Sequence, residues 1–576
     1  MASLHGQPAA STQISNSLGA GDASFASTSP IKFVLTLIGV LFSCLVVPFL
    51  ISHTILWPRI NYIEKEYHKL VPLTWDILRG SSDILNFLKT SNLFHRRAPL
   101  LATWFNYKCY FVQGTANIRT TFQNKSLSTF FFQGIFTHRV FLLPKEDLAL
   151  FWTEEDADSS HQPTKHGAQE VRNDFGARGT QHIENLLAGD GTKRFNPRFD
   201  ENLATNVANL ASPDDGWKEY PDLKTVLDID INRSFIDTLC GPRLLSKNPT
   251  FLEDWRCVHD NITLIFLGVP RFLFPRLFGA RDRCLHAIQE WTEWATSNFH
   301  PDSIAEDGSD PYWGHEFFRE RTAMYIEVDK FPFKSIAAHN LGLLWGGTAN
   351  PTPAAFWAVW EICRDHELLR LVREEAMDCL LPASSGALKF DMERLLRKPV
   401  LQAVFAETLR LRVHGIIPRK TPQEGVNVRG SVIPKHTLFF INSTTQHMDP
   451  NVWCTGAAKD HPPEEFWPGR FLLEEKTSKG NFVYSISGKS GAWVPFGGGS
   501  HMCPGRFLAR RIITGCMAHF VTRYDCEFLS EKAASGALGM SLKTFGLGTL
   551  HPSEKVPFRI KVRDIWKNNS WDGSIY

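Results

Sequence analysis

Apolar positions recurring every three to four residues predict helices over 279–300, 335–380, 391–412 and 504–524. Short strand-like runs lie near 110 and over 138–143, 425–442 and 556–562. Polar stretches at 153–180 and 474–490 read as loops or insertions. Strands and helices do not alternate regularly, so the expected class is mostly α, an α+β layout rather than a Rossmann sheet. No internal repeat is apparent.

One apolar run differs from the rest. Phe33 to Ile51 is nineteen residues without a charge. At ~1.5 Å per residue it spans roughly 28 Å, about the thickness of a bilayer core. A buried soluble helix is the alternative reading; the basic start and small-residue cleavage site of a signal peptide are not evident. Arg59, Lys65 and Lys69 follow the run, whereas only Lys32 closely precedes it, which places the carboxyl-terminal bulk in the cytosol. The expected organisation is a flexible tail at 1–30, a transmembrane anchor at 31–53, a linker and first helix at 54–90, and one large catalytic domain at 91–576.

Composition narrows the class. Of 576 residues 43% are hydrophobic, enough for a large core, which excludes a disordered or collagen-like chain. Lys+Arg 62 against Asp+Glu 60 leaves +2, so no global basic field argues for nucleic acid. The 11 cysteines are scattered without a CxxC pair, which favours reduced thiols over a disulfide framework or a zinc ribbon.

The most informative segment is Phe496-Gly497-Gly498-Gly499-Ser500-His501-Met502-Cys503-Pro504-Gly505-Arg506. Three glycines let the backbone turn tightly and approach something flat and bulky. Pro504 suits the first turn of the helix that follows. Cys503 therefore sits at a helix amino terminus, where free N–H groups favour thiolate over thiol. Such a thiolate is a nucleophile or an iron ligand; an ordinary buried cysteine in a glycine loop is the plain alternative.

This segment fills every fixed position of Phe-x-x-Gly-x-(Arg/His)-x-Cys-x-Gly, and so resembles the haem-ligand signature of the cytochrome P450 superfamily. The resemblance implies that Cys503 is the axial thiolate of haem iron and that Phe496 packs near it. It further implies that His501 stands for the usual Arg facing a haem propionate, that Gly499 permits the turn, and that Gly505 permits close approach of the helix. Glu407 and Arg410, three apart, read alone as a surface ion pair. With Phe466-Trp467-Pro468-Gly469-Arg470-Phe471, which resembles the family's Phe-x-Pro-x-Arg-Phe element, they imply a buried triad of Glu407, Arg410 and Arg470. His447-Met448-Asp449-Pro450 resembles the family's His-Arg-Asp-Pro. The implied fold is a single cytochrome P450 domain with small β-sheets, plus the one N-terminal transmembrane helix.

The oxygen-side helix departs from the family pattern. Gly346-Gly347-Thr348-Ala349-Asn350-Pro351-Thr352-Pro353 puts Ala349 where an acid is expected and Asn350 where an alcohol is expected. Pro351 and Pro353 remove helical bonds to the carbonyls of Gly347 and Ala349, which predicts a local kink or a loop between two helices. The freed carbonyls are expected to hold a water or dioxygen, with Asn350 and Thr348 organising oxygen or protons. This variant resembles the branch containing cholesterol 7α-hydroxylase and prostacyclin synthase, and members from filamentous fungi. That branch makes Arg419 a propionate partner. For the early propionate contact Arg178, His182 and Arg194 remain open.

The apolar Phe266–Phe278 stretch, with Arg271 and Arg276, reads either as a membrane-dipping loop beside the substrate channel or as core. Arg506, Arg510 and Arg511 read as a reductase-docking face or a solvated helix face. What the resemblance implies is a haem-thiolate monooxygenase of the endoplasmic reticulum membrane, facing the cytosol. Its cofactor is haem b (iron protoporphyrin IX). Electrons come from NADPH through cytochrome P450 reductase, with cytochrome b5 as an accessory partner. Its other partners are membrane lipid and a lipophilic small-molecule substrate. Two alternatives are a reductase-independent isomerase or dehydratase acting on a peroxide, and a non-catalytic haem sensor or carrier.

Overall fold

The computed structural model describes residues 109–124, 140–141 and 183–566, apart from short stretches at 113, 184–185, 188–189, 267–268, 330–331, 383–386, 423, 434, 436–437 and 475–481. All belong to one compact unit, Val71–Tyr576. The tail, anchor and linker expected at 1–90 and the polar stretch at 153–180 lie outside the described residues. Among the described residues no helix is long and apolar enough to cross a membrane.

The longer helices are α1 (Thr115–Gln123), α2 (Asp190–Ala208), α3 (Leu223–Cys240), α4 (Phe251–Asp260), α5 (Pro275–Asn298), α6 (Glu316–Asp329), α7 (Phe333–Thr348), α8 (Pro351–Arg364), α9 (His366–Met377), α10 (Pro399–Arg412) and α11 (Arg506–Arg523). Local sequence explains several starts. Asp222 caps α3 by accepting from the Thr225 N–H, and Asp365 caps α9 by accepting from Glu367 and Leu368. Prolines open α5, α8 and α10, where the missing N–H is not needed.

The strands are few and short: β1 (Cys109–Val112), β2 (Lys218–Tyr220), β3 (Val413–Lys420), β4 (Leu438–Asn442), β5 (Leu472–Glu474), β6 (Phe482–Tyr484), β7 (Tyr524–Phe528), β8 (Leu547–Thr549) and β9 (Phe558–Val562). In the largest sheet β4 lies between β1, parallel to it, and β3, antiparallel; β8 then pairs with the first residues of β3. The Ile417–Ile441 register puts two apolar residues side by side. A second sheet runs β7–β9–β2.

The core centres on α8, which packs against α11, α3 and α10. Its Phe356, Trp357 and Trp360 are buried against α11 residues such as Ile512, Ile513, Met517 and Phe520. Trp357 and Trp360 still satisfy their indole N–H groups, on the carbonyls of Leu550 (2.7 Å) and Ala533 (3.0 Å).

Several expectations are corrected. Val140 and Phe141, read as strand, are helical and fully buried. The 335–380 pattern is three helices, because Pro351 and the Asp365 cap interrupt it. The 474–490 loop includes β6, which forms a hairpin with β5; its Leu473, Phe482 and Val483 are exposed, so no burial pattern announced it. The last long helix starts at Arg506, two residues beyond Pro504.

Candidate functional site

The loop before α11 is held by its own backbone. The Cys503 N–H donates to the Phe496 carbonyl at 3.0 Å, closing the loop. Gly499 adopts φ 73°, and a Cβ there would lie 2.6 Å from the Phe122 carbonyl oxygen of α1. No other residue fits that approach. Cys503 is exposed. Desolvation of the sulfur by neighbouring protein atoms nevertheless pushes its thiol up and outweighs the Gly505 N–H and the Arg506 charge that oppose it, so the protein alone does not give the thiolate preference expected of a helix start. Phe496 stacks near Phe405 of α10, with centroids 6.4 Å apart, and meets Trp493 edge-on. At Gly505 a Cβ would meet nothing nearer than the Cys503 sulfur at 3.8 Å, and the residue forms the amino-terminal cap of α11. His501 is exposed in the 3₁₀ turn Gly499–His501.

Arg419 of β3 enters the same loop. It is only 5% exposed, and its guanidinium donates to the Gly498 carbonyl at 2.9 Å and to the Pro418 carbonyl at 2.8 Å. Among the described residues no carboxylate pairs with it, and burial alone lowers it to about 10. A buried cation that meets two carbonyl dipoles and the Phe122 ring, 5.7 Å from its centroid, calls for an anionic partner. A ring of Cys thiol, permissive glycines and one such Arg fits a haem: the sulfur would hold the iron and the guanidinium would meet a propionate.

Behind the loop the structure brings Glu407, Arg410 and Arg470 together. Arg410 is bidentate on Glu407, with Nε–Oε2 2.7 Å and Nη2–Oε1 2.8 Å. Arg470 Nε reaches Glu407 Oε1 at 3.2 Å, and the same oxygen accepts the Trp467 N–H at 3.0 Å. Glu407 and Arg410 are fully buried. Arg410 also donates to the His447 carbonyl (2.8 Å), and His447 Nε2 accepts the Val494 N–H (3.1 Å) just before Phe496. Burial lowers His447 to about 3, so it is neutral, with Nδ1–H facing the Val413 carbonyl at 3.3 Å. The triad is thereby wired to the cysteine loop.

The oxygen-side helix is broken, not bent. It stops at Thr348 and restarts at Pro351, with Asn350 at the cap position. Thr348 is buried and its hydroxyl donates to the Leu344 carbonyl at 3.1 Å. Asn350 Oδ1 accepts the Thr549 N–H of β8 at 2.8 Å. Gly548 must be glycine beside it, since a Cβ would fall 2.0 Å from Asn350 Oδ1. Around the break Gly346 is exposed, and Gly342, Leu343, Trp345, Gly347 and Asn350 are half-buried. The carbonyl freed at Ala349 takes a donor from another helix: His259 Nε2 of α4 donates to it at 3.1 Å. No local signal could have found this contact, which spans ninety residues.

Arg194 pairs with Glu316, so it is committed elsewhere; Arg178 and His182 lie outside the described residues. Arg511 is buried on Asp200, and Arg510 is bonded to the Leu396 carbonyl and Gln402, so two of the three supposed docking charges point inward. The 266–278 stretch divides: Phe272 is 79% exposed with Leu273 and Phe274 beside it, whereas Leu277 and Phe278 are core.

A family model described as Cytochrome P450 matches residues 259–549. The cytochrome P450 monooxygenase fsoE of Humicola fuscoatra is 30% identical, over 75% of each chain. The cytochrome P450 monooxygenase efuG of Hormonema carpetanum is 27% identical over 86% of this chain and 89% of its own. A cholesterol 7-alpha-monooxygenase of Cricetulus griseus is 26% identical over 43% and 50%.

Proposed function

From the premise that the chain belongs to the cytochrome P450 family and is a monooxygenase of it, we propose that it inserts one oxygen atom from O2 into a lipophilic small molecule. The class we favour is terpenoid, alkaloid, polyketide or steroid-like, made in fungal secondary metabolism. One observation carries the site assignment: an exposed Cys503 sulfur that takes the Gly505 N–H, in the loop whose Gly498 carbonyl binds a buried Arg419 with no carboxylate partner among the described residues.

Bound haem b supplies the oxygen activation and the atom transfer. The chain's residues do the rest. Cys503 holds the iron as thiolate, and the Gly505 N–H tempers its charge. Arg419 would neutralise a propionate, and the exposed His501 would serve as a second propionate partner. Thr348, whose hydroxyl proton is spent on Leu344, keeps oxygen lone pairs to accept from a proton donor. Asn350, whose carbonyl oxygen is spent on Thr549, keeps its NH2 as the donor. Electrons come from NADPH through a reductase that docks beside Arg506 and the exposed Met502 and Phe507, with cytochrome b5 as an accessory partner.

The 31–53 run anchors the chain in the endoplasmic reticulum membrane, with the domain in the cytosol. The exposed Phe272–Phe274 tip, flanked by Arg271, suits burial in a membrane interface, from which a lipophilic substrate would enter. The test is accurate-mass comparison of metabolites in the native host with and without the gene. A product one oxygen heavier than the accumulating precursor supports the proposal. An unchanged elemental formula replaces it with isomerisation of a peroxide, a reading to which Ala349 in the acid's place lends support.

A further inference from the structure

The break in the oxygen-side helix leaves a backbone debt that local sequence cannot settle. Pro353 has no N–H, so the Ala349 carbonyl loses its helical donor, and Ala349 is buried away from water. The donor that arrives is His259 Nε2, from the last turn of α4. A carbonyl only accepts, so Nε2 carries the hydrogen. Burial, with His551 and Lys224 nearby, lowers His259 to about 3 and keeps the ring neutral.

The support behind His259 is layered. Its ring meets His551 edge-on, with centroids 5.0 Å apart. His551 Nδ1 lies 3.1 Å from Asp260 Oδ1, and the Lys224 ammonium lies 2.9 Å from the same oxygen while also pairing with Asp228. His551 follows Thr549 by two residues, and Thr549 N–H is the group that holds Asn350. The two residues of the break are therefore gripped on both sides, Ala349 by α4 and Asn350 by β8, and the grips meet where His259 touches His551. His259, Asp260 and His551 bring ligand atoms within 4.8 Å of one another, a spacing that suits a cation. The Lys224 ammonium already takes the carboxylate, and His259 Nε2 donates to the Ala349 carbonyl.

We propose that His259 is a positioning residue of the monooxygenase reaction: it replaces, from a separate helix, the hydrogen bond that Pro353 removes, and so fixes the backbone between Thr348 and Pro351. The link to catalysis rests on the function proposed above; the lock itself does not. With the lock gone, Thr348 and Asn350 lose their set orientation. Two electrons drawn from NADPH, with two protons from solvent, then reduce O2 to hydrogen peroxide, instead of yielding one hydroxylated product and one water.

The test uses the full-length holoprotein and three changes: His259→Leu, Pro353→Ala, and both together. Pro353→Ala restores an N–H at position 353, so the double variant has an in-helix donor for Ala349 and no need of His259. Hydrogen–deuterium exchange of the 346–358 segment, measured without substrate, should be about tenfold faster in His259→Leu, the ~1.4 kcal/mol of one hydrogen bond. It should return to within about threefold of wild type in the double variant. Product formed per NADPH consumed should fall in His259→Leu and recover in parallel. Unchanged exchange in His259→Leu overturns the lock, as does a double variant no slower than the single one. Altered and rescued exchange with unchanged coupling overturns the catalytic role. If His259→Leu does not fold, recovery of folded haem protein in the double variant supports the lock, and no recovery overturns it. A carbon monoxide spectrum of the reduced wild type lacking the thiolate band would instead refute the monooxygenase reading, leaving the exchange result to decide the lock.

Discussion

Glu407→Ala removes one carboxylate on which two guanidinium groups and a backbone N–H converge. Four hydrogen bonds end there: Arg410 Nε at 2.7 Å, Arg410 Nη2 at 2.8 Å, the Trp467 N–H at 3.0 Å and Arg470 Nε at 3.2 Å. Removing one partner of a buried pair costs about 3–5 kcal/mol, because the remaining charge stays desolvated. Two cations are stranded here, which favours the upper end of that range. The carbonyls of His447, Trp453 and Pro462 still hold both guanidinium groups in place, which caps the loss. Against a total of about 5–15 kcal/mol for a folded domain, the loss is a large share. Glu407→Gln keeps the shape and one acceptor, so about 2–3 kcal/mol is expected. Urea unfolding of the holoprotein, followed by tryptophan fluorescence and by the haem band, measures both. Haem should be released first in Glu407→Ala, since Arg410 reaches the cysteine loop through His447 and Val494. A Glu407→Ala protein within about 1 kcal/mol of wild type and with full haem content would refute the reasoning.

Three further outcomes follow from the geometry. His447 is lowered from 6.5 to about 3 in the folded state, so folding binds fewer protons there. The stability it contributes is complete above pH 6.5 and is lost as pH falls toward 3; unfolding midpoints between pH 7 and 5 should drop, and less steeply in His447→Gln. Asp230 is buried and raised from 3.8 to about 8, the opposite case, so its folded form holds the proton and stability declines as pH rises from 3.8 through 8. Asp230→Asn should remove that decline, with the difference in midpoint from wild type growing toward pH 8. Gly499→Ala forces a side chain into φ 73° against the Phe122 carbonyl, and haem titration should show an occupancy below half of wild type with the far-UV spectrum unchanged.

The reading from sequence succeeded where chemistry is local. Phe496 to Arg506 carries its turn, its cysteine and its helix start within eleven residues, so the loop was legible before its geometry. Pro351 and Pro353 announced a break in the same way. The Glu407–Arg410 spacing alone was legible only as a helical pair, since an i, i+3 pair looks the same inside and outside; its burial was legible only through the resemblance that adds Arg470, sixty residues on. His259 was missed because its partner is a carbonyl ninety residues away and a lone His carries no signal. The β5–β6 hairpin was missed because its exposed Leu473, Phe482 and Val483 break the alternation that marks half-buried strands. Arg510 and Arg511 were misplaced because helical periodicity cannot tell a solvated guanidinium from one paired with Asp200.

The central claim is that Cys503 is the sulfur ligand of a haem held by this loop and by Arg419. Carbon monoxide difference spectra of the reduced wild type, Cys503→Ala and Cys503→His test it directly. The account predicts the thiolate-type band in wild type alone, loss of haem in Cys503→Ala, and an imidazole-type band in Cys503→His. A Cys503→Ala protein that keeps the thiolate-type band would contradict it.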